Sequence, residues 1–95
     1  MQPSPGHSAH CDLIARDPLA LENARTQATI RATAEALAER TGVEVPALEF
    51  LHGIVRFHGP PTQLTLIGLV AEVRAISQRW HQKHFDALLW QGEDE

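Results

Sequence analysis

His7, His10 and Cys11 set two imidazoles and a thiol within one short stretch, a donor set that soft divalent metals can use. His81 and His84 stand at i, i+3, a spacing at which two imidazoles on one helix face can share an ion. The first group has no paired carboxylate or second cluster nearby and the second offers only two ligands, so both predict adventitious metal binding and no dedicated site. Cys11 has histidine neighbours that could lower its pKa, but nothing near it suggests an oriented base or an oxyanion hole. His52 and His58 lie six positions apart and do not face each other cleanly on a helix. The chain carries no glycine-rich phosphate loop, no GxSxG elbow and no HExxH. The expectation is a protein that is not an enzyme, with no catalytic residue, cofactor or metal.

The residues with the strongest binding chemistry are aromatic. Trp80, Phe85, Leu88, Leu89 and Trp90 gather both tryptophans and one of the three phenylalanines near the C-terminus. Tryptophan is enriched at interface hot spots because it buries a large area at small rotamer cost. Arg74, Arg79 and Lys83 are placed to rim such a patch. Together with Phe50 and Ile54 these apolar residues form the expected partner or dimer interface: Phe50, Ile54, Trp80, Phe85, Leu88, Leu89 and Trp90.

Composition narrows the partner. The 95 residues, enough for one domain, hold 8 Lys+Arg against 12 Asp+Glu, a net charge of −4. That balance argues against a general nucleic-acid binder, whose affinity rests on clustered Lys and Arg. A single cysteine excludes an internal disulfide and any four-cysteine zinc module. The longest apolar-rich run, Leu64 to Ala71, falls far short of the roughly 20 residues of a membrane span. With no signal-peptide pattern at the start, the expected location is the cytoplasm.

The elements that would position the aromatic residues read as helices. Residues 1–16, with Pro3, Pro5 and Gly6, read as a flexible tail; 17–91 as one helical domain; 92–95 as an acidic tail. Asp17-Pro18 predicts a helix start and Gly42 its end. Ala47, Phe50, Leu51, Ile54 and Val55 share a helical face in a second helix from Pro46 to His58, stopped by Gly59-Pro60-Pro61. A third runs from Pro61 or Thr62 to Gln91, its first half apolar on several sides through Leu64, Ile67 and Val70. Helices of about 24, 13 and 30 residues would span roughly 36, 20 and 45 Å. The class expected is all-α, a three-helix chain with a long C-terminal helix. The shorter helices cannot cover the third, so its apolar end predicts a helical homodimer or a docked partner.

Two resemblances sharpen the functional expectation. Residues 34–53, with Glu35-Ala36-Leu37-Ala38-Glu39-Arg40-Thr41-Gly42-Val43 followed by Leu48 and Leu51, resemble a bacterial helix-turn-helix. Glu44 and Glu49 at the start of the matching recognition helix would repel phosphate, which makes a small DNA-binding regulator the second reading. In size, acidic balance, loose N-terminus and long apolar C-terminal helix, the chain resembles the small helical antiactivators of LuxR-type quorum-sensing transcription factors in bacteria. That resemblance implies sequestration, with the chain binding a transcription factor and blocking its dimerisation or DNA binding. The first reading is thus a non-enzymatic regulator acting through protein–protein interaction.

Overall fold

A computed structural model describes residues 9–92. It is an α+β fold, with two helices on one face of a three-stranded antiparallel sheet. Strand β1 spans His10–Ile14, helix α1 Ala24–Thr41, β2 Ala47–Leu51, β3 Ile54–His58 and helix α2 Gln63–Phe85. The strand order is β1-β3-β2.

The all-α expectation fails at two places. Residues 46–58 form a hairpin, because the apolar set that suits a helix also alternates. Leu48, Phe50, Val55 and Phe57 recur at period two around the His52-Gly53 turn. Gly53 supplies the left-handed backbone of the turn, at φ 75°, and a Cβ there would lie 3.2 Å from the Pro18 Cβ. The helix-turn-helix of residues 34–53 is therefore the end of α1, a loop and β2. Residues 10–14, expected within the tail, are β1, which pairs Cys11 with Phe57 and Leu13 with Val55 across β3. Short strands give only a few alternations, and Pro3, Pro5 and Gly6 upstream hide these.

The first predicted helix is broken near its start. The Asp17 carboxylate accepts from the Leu19 amide and caps a 3₁₀ helix over Pro18–Glu22. The chain then restarts at Asn23, whose Oδ1 accepts from the amides of Arg25 and Thr26 at 2.9 and 3.0 Å and opens α1. Gly42 ends α1 at φ 76°, its amide donating back to the carbonyls of Ala38 and Glu39.

The last predicted helix is shorter than expected. Thr62 caps its start, and Asp86 ends it in the left-handed conformation at φ 56°. The chain then reverses and runs back along β1. Ala15 forms a bridge with Trp90, the Arg16 amide donates to the Leu89 carbonyl at 2.9 Å, and the Gln91 amide to that of Ile14 at 2.7 Å. At the other end of β1, the Gln63 side chain donates to the His10 carbonyl and accepts from its amide, at 3.0 and 3.1 Å. These contacts close both ends of an exposed strand edge.

The core lies between sheet and helices. Leu13, Val55 and Phe57 from the sheet meet Ile30, Ala34 and Leu37 of α1 and Leu66, Val70 and Val73 of α2. The small alanines of α1 let the helix layer sit close to the sheet.

Candidate interaction surface

Four aromatic rings meet at the C-terminal end of α2, where Gln82, Lys83, His84 and Phe85 are exposed over a full turn. Trp80 and His84 lie one turn apart, and their ring centroids are 5.0 Å apart at an interplanar angle of 31°. The His84 Nδ1 donates to the Trp80 carbonyl at 2.9 Å, which fixes the imidazole over the indole. Phe85 meets Trp80 edge-on at 5.7 Å and 72°, and approaches the His81 ring at 4.7 Å. His81 is buried; its Nδ1 donates to the Ala87 carbonyl at 2.7 Å and ties the reversal to the helix. From α1, the Arg25 guanidinium lies 5.8 Å from the Trp80 ring centroid, within cation–π range.

The charge around these rings is mostly basic, although the exposed Asp86 directly follows Phe85. Arg25, Lys83 and His84 surround an indole that is half-buried and a phenyl that is 40% exposed. Lys83 and His84 also complement the negative end of the α2 dipole, which helps keep a bare helix end wound. Of the basic residues expected at the rim, Arg74 instead donates to the Gln91 carbonyl at 2.8 Å and secures the returning chain. Arg79 is exposed on the outer side of α2.

The other expected interface residues are scattered. Leu89 and Trp90 are fully buried in the chain's own core. Gln78 Oε1 accepts from both of their amides, at 2.7 and 3.0 Å, and the Trp90 indole N–H donates to Ser77 Oγ at 2.9 Å. Leu88 is half-buried beside them. Phe50 is half-buried on the helix side of β2, where the Arg31 guanidinium lies 5.3 Å from its ring. Ile54 lies on the opposite, uncovered face of the sheet. Only Trp80 and Phe85 of the predicted set stand together. His84 and Arg25 complete their cluster; His84 is legible as the i+4 neighbour of Trp80, whereas Arg25 comes from a distant helix and carries no sequence signal.

The uncovered sheet face holds a second polar group. Arg56, at its centre, makes two 2.9 Å hydrogen bonds to the Asp12 carboxylate across β1. This pairing holds the Asp12 carboxyl below its usual range and the Arg56 guanidinium above its own. Glu49 accepts from His58 Nε2 at 3.2 Å. Each acid therefore already has a base, which leaves little free charge for a ligand.

The metal and nucleophile candidates separate. His10 and Cys11 are consecutive strand residues and project to opposite faces of the sheet, while His7 lies outside the described residues. Burial pushes the Cys11 thiol up, away from the thiolate. His81 turns inward and His84 stacks on Trp80. Among the described residues, no three His, Cys, Asp or Glu side chains are placed to hold a metal ion, and no helix is long and apolar enough to cross a membrane. Comparison with known proteins finds no family model, no curated protein and no solved structure that matches this chain.

Proposed function

We propose that this chain is a non-enzymatic regulatory protein of the cytoplasm that holds a partner protein at the free end of α2. The observation behind this reading is the exposed Trp80–His84–Phe85 ring cluster flanked by Arg25 and Lys83. Clustered rings offer large, rigid apolar area, and the surrounding bases select for acid. The partner surface that fits is an acidic segment carrying an apolar side chain. A transcription factor, the target implied by the antiactivator resemblance, is one protein that could present it.

The test is affinity capture from the native host's lysate, at low and high salt, with the wild type and with Phe85→Ala/Arg25→Gln. Both substituted side chains are exposed and neither change adds an acid at the helix end, so circular dichroism should show an unchanged fold. A discrete protein captured by the wild type and lost with the variant is the expected result. Equal capture by both, or recovery only of DNA that washes off with salt, would overturn the proposal.

A further inference from the structure

The outer side of α2 carries apolar residues that nothing among the described residues covers. Leu64 is 82% exposed and Ile67 47%, and Gly68, Ala71 and Ala75 continue the exposed line along the helix. A helix apolar on its solvent side as well as its core side is ordinarily covered on both. Beside this line, Thr41, Val43, Leu64, Gly68 and Glu72 border a groove of about 230 Å³ between the end of α1 and the start of α2.

The spacing of the exposed line specifies what fits it. Positions 68, 71, 75, 79 and 82 are all exposed and lie along one side of α2. Their intervals of 3, 4, 4 and 3 read the same from either end, with Ala75 at the centre. A surface with that symmetry matches itself when rotated about a two-fold axis through Ala75. Two copies of α2 laid antiparallel would then set Ala75 against Ala75, Ala71 against Arg79 and Gly68 against Gln82. The small residues at and beside the centre permit a close approach of the two backbones. Leu64 would reach the last turn of the opposing helix.

Charge supports the antiparallel direction. Within Gln63–Phe85, Glu72 is the sole acid and lies toward the N-terminal side of Ala75; Arg79 and Lys83 lie on the C-terminal side. Neither Glu72 nor Arg79 has an ion-pair partner among the described residues. Antiparallel pairing brings Glu72 of each copy beside Arg79 of the other, twice over. Parallel pairing would instead set Glu72 against Glu72 and Arg79 against Arg79. We therefore infer that the outer face of α2 is a homodimer interface whose occupant is a second copy of this chain, packed antiparallel about Ala75. Its charge pair, Glu72 with Arg79, shares no residue with Phe85 and Arg25 of the Trp80 cluster, so substitutions at the two pairs probe the two surfaces separately.

Sedimentation velocity over a concentration series from about 1 to 500 μM tests the inference. The wild type is expected to dimerise reversibly. Glu72→Arg and, separately, Gly68→Leu should each raise the dimer dissociation constant at least tenfold. A Cβ at Gly68 meets open space within the chain, so the second variant obstructs the approach of a partner without crowding the monomer. The charge swap Glu72→Arg/Arg79→Glu should restore dimerisation toward wild type, because the pair re-forms in reverse. A wild type that stays monomeric throughout, a dimer indifferent to both single variants, or a swap that fails to rescue Glu72→Arg would overturn the inference. Binding at the Trp80 cluster is read through Phe85→Ala/Arg25→Gln, which leaves Glu72, Arg79 and Gly68 in place.

Discussion

Trp80 and Trp90 lie close in sequence, yet they occupy opposite environments. Trp90 is fully buried, its indole N–H satisfied by Ser77 and its amide by Gln78. Trp80 is half-buried, with a guanidinium over one part of the ring and an imidazole stacked near another. What separates them is the reversal at Asp86. Residues before it sit on a helix end that projects past the sheet, and residues after it return to the β1 edge and enter the core. The direction of the chain decides which tryptophan enters the core and which stays half-buried at the surface.

The largest test of that difference is a pair of truncations. Trp90→Ala should cost about 3–5 kcal/mol, because it leaves a cavity at the junction of sheet, α2 and C-terminus. Domains of this kind hold only roughly 5–15 kcal/mol in total, so the variant should be partly unfolded at modest urea. Phe85→Ala, on the exposed side of the reversal, should stay within about 1 kcal/mol of wild type. Urea denaturation followed by circular dichroism measures both. Similar losses from the two variants would erase the distinction drawn between the regions.

The same contrast explains how much was legible beforehand. Both long helices are legible in outline, since Gly42 and the Pro60-Pro61 pair are strong local signals that tertiary structure does not overrule, whereas Asp17 starts only the short 3₁₀ helix ahead of α1. The hairpin was hidden because Ala47, Phe50, Leu51, Ile54 and Val55 satisfy a 3.6-residue period while their neighbours satisfy a two-residue one. In a segment of this length the apolar count cannot choose between them. The reversal was hidden for another reason: aspartate is an ordinary residue at a helix end, and its left-handed backbone depends on where Leu89 and Trp90 find cover. Trp80 and Phe85 were picked out by residue type, and so were Leu89 and Trp90, because the aromatic signal that marks a hot spot also marks a core. Arg25 was beyond sequence reasoning, since its contact with Trp80 exists only once α1 lies beside α2.

A second test removes the anchor and leaves the tryptophan. Gln78 Oε1 accepts from two buried backbone amides, those of Leu89 and Trp90. Gln78→Met keeps the length of the side chain and deletes that acceptor. Leaving such donors unsatisfied should cost about 1–3 kcal/mol. Hydrogen exchange should locate the effect, with the Leu89 and Trp90 amides exchanging faster while those around Trp80 keep wild-type rates. Uniform acceleration along α2 would mean that Gln78 holds the helix as a whole and not the return segment alone.

The smallest expected effect lies at the reversal itself. Asp86 occupies φ 56°, ψ 39°, a conformation costly for most residues with a Cβ, and its amide donates to the Gln82 carbonyl at 2.9 Å. Asp86→Gly removes the Cβ clash but widens the unfolded ensemble, so the two effects offset and the net gain should be under about 1 kcal/mol. Asp86→Ala retains the Cβ and loses the short polar side chain that tolerates this backbone, so it should be destabilised by roughly 1 kcal/mol. The order of the two variants' Tm values reads the sign of the difference. Glycine above alanine is what a constrained left-handed reversal requires. The opposite order would mean that the Trp90 segment docks firmly enough to set the turn whatever residue occupies it, placing the cause of the two tryptophans' separation in the core and not at the helix end.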